Sequence, residues 1–169
     1  MGNWNTRRSK LFFGELQRMK LIAHRGNLNG PNPTRENSID YIEEAISEGF
    51  DVEIDLRHKD QRFYLGHDEP QYHAPMTWLV KWKDNLWIHC KELESLDKIS
   101  NSPIDFNYFW HQEDDFTLTS KKYIWTYPGK SYTSNSVIVM PEINLDINSF
   151  SKLRTYECFG VCSDYLNKI

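Results

Sequence analysis

Two acids, Glu53 and Asp55, stand one residue apart in DVEIDLRH, residues 51–58. In an extended chain alternate side chains share a face, so both carboxylates point one way while Val52, Ile54 and Leu56 point the other. A carboxylate pair of this kind either meets solvent or grips a hard divalent cation, which takes oxygen ligands. A histidine follows in the next extended segment, Gly66-His67-Asp68. More imidazoles and cations end other apolar runs: His24 and Arg25 after LIA, His89 and Lys91 in LWIHCK, His111 after FNYFW. Histidine titrates near neutrality and so can take a proton and return it. Taken singly, each group has a plainer role, a hydrogen-bonded structural histidine or a solvated acidic face. Their recurrence at strand ends points instead to one shared pocket.

The elements that would position these groups alternate along the chain. LIAHRG reads as a buried strand, and the Asn-, Gly- and Pro-rich NLNGPNPTREN as a loop. In ENSIDYIEEAISEGF, Ile39, Ile42, Ala45 and Ile46 recur at helical spacing, and Gly49 closes the helix. DVEIDLRH and RFYLGHD read as strands, LWIHCK as a strand, and ELESLDKIS as a short helix. FNYFWHQ, KYIWTYPG, SVIVMPEI and CFGVCSDYL supply further strands, with DINSFSKLR as a helix before the last. Strands alternating with helices or loops, without a GxGxxG turn, predict an α/β fold. The expected form is a small, trimmed TIM-type (β/α) barrel of mostly parallel strands over residues 19–169. Functional groups of such barrels gather at the C-terminal strand ends.

The bulk numbers exclude several classes. Of 169 residues, 39% are hydrophobic and 14% aromatic, which argues against disorder. A net charge of −4 with no basic stripe argues against nucleic acid as partner. No apolar run approaches the ~20 residues of a membrane span, so no stable membrane insertion is expected. The three cysteines show no zinc spacing, and the expected setting is cytoplasmic with reduced thiols. Cys90, between His89 and Lys91, is expected to point behind the sheet. His58 and His73 are expected in loops. The basic, partly amphipathic residues 1–18 read as a surface helix, a lead-in, or sequence preceding a natural start at Met19.

The order IAHRG, then EN opening a helix, then GFDVEIDLR, then LGHD resembles the glycerophosphodiester phosphodiesterase signature over Leu21–Asp68. That family belongs to the phosphatidylinositol-phospholipase-C-like barrels. The ending GVCSDYL resembles its last strand, and the middle matches by pattern alone. The resemblance implies a metal-dependent phosphoric diester hydrolase. It implies His24 and His67 as paired acid and base, Arg25 and Lys91 on the phosphate, and Glu53 and Asp55 on a divalent metal. Glu36, of the EN pair, would reach that metal or hold the loop after the first strand. The family carries a metal-ligating Glu two residues before the lysine, and here that position is His89. Magnesium or calcium is implied; an imidazole ligand makes manganese and zinc candidates as well.

The chemistry suits the residues. A divalent cation offsets the charge of a phosphodiester and orients it. Arg25 and Lys91 would stabilise charge building at phosphorus. Trp110, His111 and Trp125, with Tyr127, would contact the rest of a small phosphodiester substrate, a glycerophosphodiester or a lipid-headgroup diester. For each ring singly, packing is the plainer role. Two alternatives stay open: a non-catalytic phosphate-ester-binding barrel, and a lyase releasing a cyclic phosphate.

Overall fold

The computed structural model describes residues 19–169, so the expectations for residues 1–18 lie outside the described residues. The elements, in chain order, are β1 (Lys20–His24), α1 (Ile39–Ser47), β2 (Asp51–Lys59), β3 (Arg62–Leu65), β4 (Tyr72–His73), α2 (Met76–Trp82) and β5 (Leu86–Cys90). Then come α3 (Leu93–Ser100), β6 (Tyr108–Phe109), β7 (Phe116–Leu118), β8 (Ile124–Thr126), β9 (Ser136–Val139) and β10 (Gly160–Ser163). All ten strands join one sheet. Its parallel part runs β6-β5-β2-β1-β10-β9-β8. The long β2 carries two partners in succession. Val52–Leu56 pair with β5, and Leu56–Lys59 continue into an antiparallel hairpin with β3.

Residues of opposite parity divide the layers. Ala23, Val52, Ile54, Leu56, Leu86, Ile88 and Cys90 face outward into the main core, against Ile42, Ala45 and Ile46 of α1, Trp78 and Leu79 of α2, and Ile99 of α3. Ile22, Trp87, Phe109, Trp125, Val137 and Cys162 form a separate cluster inside the curl of the sheet. Below them, Asp51 accepts from Lys20 Nζ at 3.0 Å and from Trp87 Nε1 at 3.1 Å. Above them the same parity delivers His24, Glu53, Asp55 and His89, because His24 pairs with Glu53 and Asp55 with His89 in register. A single alternation thus fills the curl with apolar side chains and lines its top with titratable ones.

The α/β class stands, and the parallel barrel is corrected. The sheet is curled but its ladder is open, and β3, β4 and β7 run antiparallel to their neighbours. The two parallel ends, β6 and β8, meet without a ladder between them. The Phe109 and Trp125 rings lie 4.6 Å apart. Ser120 N donates to Tyr108 O at 2.8 Å, Tyr108 N donates to Ser120 Oγ at 3.0 Å, and Thr117 Oγ1 donates to Trp110 O at 3.0 Å. The physical reason is length: β6 has two residues, too few to carry ladders on both edges. Helices are also scarce. The segment expected as a helix before β10, Ile147–Thr155, forms 3-10 turns, started by Asp146 accepting from Asn148 N at 2.9 Å. His58 and His73, expected in loops, lie on β2 and β4. Among the described residues no helix is long and apolar enough to cross a membrane.

Candidate active site

At the top of the curl a cavity of about 340 Å³ is lined by His24, Arg25, Glu53, His67, His89, Lys91, Trp110, His111 and Trp125, among others. These are the residues singled out in the sequence, less Asp55 and Glu36. Asp55 lies fully buried beside them.

The floor is a cluster of charges. Ligand atoms of Glu53, Asp55 and His89 lie within 4.8 Å of one another, a group able to hold a metal ion. His89 Nδ1 is 3.4 Å from Asp55 Oδ1 and 3.7 Å from Glu53 Oε1. Arg25 Nε lies 2.8 Å from Asp55 Oδ2 without being aimed at it, so the contact is an ion pair rather than a hydrogen bond. Lys91 Nζ sits 3.4 Å from Asp55 Oδ1. Asn37 completes the hold on Asp55, with Nδ2 donating to Oδ2 at 2.9 Å and Oδ1 accepting from the Asp55 amide at 3.0 Å. Yet Glu53 Oε2 and Asp55 Oδ1 are buried and accept no hydrogen bond. A buried anionic oxygen left without a donor is costly, and a cation is what would relieve it.

The two carboxyls respond oppositely to this setting. Burial and the Asp55 charge push the Glu53 carboxyl above its usual range. For Asp55 burial acts in the same direction, but His89, Arg25 and Lys91 outweigh it and hold the group well below the usual carboxylate range.

Glu36 is corrected as a metal ligand. Its oxygens accept from Arg25 Nη1 at 3.2 Å and Asn27 Nδ2 at 2.9 Å, and it stands outside the ligand group. It holds the loop after β1, the other role the motif allowed. The backbone explains why. Arg25 takes the left-handed conformation, φ 54°, which turns the chain at the end of β1. Its amide then donates to Glu53 O at 3.0 Å and its carbonyl accepts from Asn37 N at 3.1 Å.

The histidines differ in their surroundings. His24 Nδ1 lies 2.8 Å from Asp164 Oδ1, which also accepts from Asn27 Nδ2 at 2.8 Å. Asp164 is steadied by Glu142, which accepts from its amide at 2.8 Å and from Ser163 Oγ at 3.0 Å. Burial disfavours the His24 imidazolium, but the Asp164 bond and the Glu53 charge prevail and raise its pKa. His67 is half-exposed, with Nδ1 at 2.7 Å from the exposed Asp68 carboxylate. Burial and the Arg25 charge lower its pKa. His111 stacks on His89 with centroids 4.7 Å apart, and burial with the His89 and Lys91 charges takes it down to about 4. Cys90 lies in the outer core as expected; burial pushes its thiol up to about 12, which removes it as a nucleophile.

Set against family models, curated proteins and solved structures, the chain matches none. Function is therefore read from the site itself and from the motif resemblance.

Several contributors escaped the sequence reading. Spacing gives no role to Asp164, Asn27, Glu142 or Arg57. Arg57 clamps the His67 loop: its Nε donates to Gly66 O at 2.9 Å and its Nη2 to His67 O, while Glu92 stands 3.4 Å from its Nη1. The signal was present, since Arg57 continues the Glu53–Asp55 alternation. Gly66 has φ 151°, and a Cβ there would lie 2.1 Å from Glu69 O. Gly66→Ala must therefore move the loop. It is expected to cost about 1–3 kcal/mol and to lower turnover while metal affinity holds, read by thermal melting, kinetics and calorimetry on one preparation.

Proposed function

We propose that this chain is a metal-dependent phosphodiesterase that hydrolyses a small phosphodiester by acid–base catalysis through His24 and His67. One observation carries the reading. Two buried carboxylate oxygens without donors, on Glu53 and Asp55, lie beside His89 at the floor of a cavity that three further imidazoles and two cations line.

The residues divide the work. Glu53, Asp55 and His89 would hold the metal, which when bound supplies charge neutralisation at the phosphoryl oxygens. The two carboxylates suit Mg²⁺ or Ca²⁺, and the imidazole adds affinity for Mn²⁺ and Zn²⁺. Arg25 and Lys91 meet the anionic phosphate. Asp68 occupies Nδ1 of His67, leaving Nε2 to take a proton from the attacking water. Asp164 occupies Nδ1 of His24, leaving Nε2 to give a proton to the departing alcohol as the P–O bond breaks. Burial and the Arg25 charge lower the pKa of His67 while the Asp164 bond and the Glu53 charge raise that of His24, the condition for one acid and one base at the same pH. A substrate hydroxyl in place of water would yield a cyclic phosphate, and phosphorus NMR of the product separates the two outcomes.

Chelated protein tests the reading. Turnover of bis(4-nitrophenyl) phosphate is expected to vanish after chelation and to return on adding Mg²⁺, Ca²⁺, Mn²⁺ or Zn²⁺, with saturable heat of binding for the active ion. Full turnover after chelation would overturn the metal role. Metal-independent binding of phosphate esters without turnover would favour a binding module instead.

A further inference from the structure

The cavity has two chemically distinct halves. The polar half comes from three adjacent strands, β5, β2 and β1, with the loop after β3. The other half comes from strands at the two ends of the curl. Trp110 follows β6, Tyr127 and Pro128 follow β8, and Met140 and Ile143 follow β9. Three of these side chains are large, apolar and left open to solvent: Trp110 is 41% exposed, Tyr127 46% and Ile143 61%. Met140 reaches its place through a left-handed backbone, φ 43°, locked by its amide donating to Cys162 O at 2.7 Å. The apolar half thus rests on a fixed turn.

A diester substrate has two substituents, and a glycerol or sugar would leave this surface uncovered. We infer that one substituent of the diester is an alkyl or acyl chain, bound against Trp110, Tyr127 and Ile143 while the phosphate lies over Arg25 and Lys91. This rests on the phosphodiesterase reading and narrows its substrate to single-chain amphiphiles. The charge pattern agrees. Asp114, which like Trp110 follows β6, adds an acidic side chain to the same lining, so a second anionic group on the substrate would be repelled near it.

A homologous series tests this with metal-loaded protein. Alkyl 4-nitrophenyl phosphates from methyl to octyl differ only in chain length, and each releases 4-nitrophenolate. Each methylene buried should raise kcat/KM about fourfold, so butyl should exceed methyl roughly 60-fold before the gain levels off. Ile143→Ser should flatten the butyl-to-methyl ratio, a quantity measured within one protein and insensitive to the fraction folded. Equal kcat/KM along the series, with the methyl ester hydrolysed, overturns the inference and leaves the phosphodiesterase reading intact. A full slope in Ile143→Ser overturns the placement of the chain. No hydrolysis of any member with any of the four metals removes the phosphodiesterase reading, and this inference with it.

Discussion

His24→Ala and His67→Ala are each expected to lower turnover of a phosphodiester by about 10²–10⁴-fold, yet to differ in which substrates suffer. His24 is assigned to the leaving group. Its loss should be felt least with 4-nitrophenolate, which departs without a proton, and most with an alkyl alcohol, which needs one. His67 is assigned to the nucleophile, so its loss should cost nearly the same on both. Comparing kcat/KM for an aryl and an alkyl leaving group in the two variants reads the roles directly. The reverse pattern would exchange the roles, and wild-type turnover in both variants would end the catalytic assignment. The pH profile follows from His67. Burial and Arg25 lower its pKa, so it loses its proton below the ordinary value of about 6.5. The acidic limb of the rate profile should fall there and disappear in His67→Ala.

The second large effect separates two neighbouring acids by sign. Asp55→Ala should destabilise the metal-free protein by about 3–5 kcal/mol, because Arg25 and Lys91 then lose the anion that balances them within a mostly buried site. Glu53→Gln should instead leave the metal-free protein as stable or more so, since it removes a buried charge that Asp55 repels. Both substitutions should weaken metal binding. The pH dependence of metal-free stability has matching signs. Asp55 has a depressed folded pKa, so its contribution is present above its unfolded value and lost as pH falls toward the folded one. Glu53 has a raised folded pKa, so it costs stability as pH climbs from the unfolded value through the folded one. Thermal melts of the chelated variants provide the test. At this chain length each kcal/mol moves the midpoint by about 2–4 °C. Equal losses in both variants would refute the division.

Much of this site was legible because one rule, alternation along a strand, places Glu53, Asp55 and Arg57 on a common face, and His89 joins them across the ladder. Helix α1 was legible from its spacing and from Gly49, whose φ of 94° ends it. What spacing does not carry is competition between partners. Glu36 and Glu53 are both acids within the motif, but only Arg25, folded back by its left-handed backbone, decides that Glu36 holds the loop while Glu53 stays in the group able to hold a metal. Asp164 is 140 residues from His24, and only the pairing of β1 with β10 brings them together. Helix α2 was missed because Met76–Trp82 is short and apolar on several sides, with no face to mark it. The closed barrel failed for a similar reason. FNYFWHQ has the composition of a full strand, and ladder formation there depends on neighbours that the sequence does not name.

The junction of β6 with β8 has a mechanical meaning. Elsewhere the wall of the cavity is set by main-chain bonds whose spacing no side chain can alter. Here a single main-chain bond, Ser120 N to Tyr108 O, is supplemented by two aromatic rings and the hydroxyls of Thr117 and Ser120, and the side chains set the width. Exchanging the Trp125 ring, which lines the cavity, for a smaller or larger one would change its width without touching the registers that hold His24, Glu53 and His89, whereas Phe109 stacks on His89 at 5.1 Å and belongs to the floor. Selectivity for the size of a ligand can therefore drift at this joint while the charged floor stays where it is.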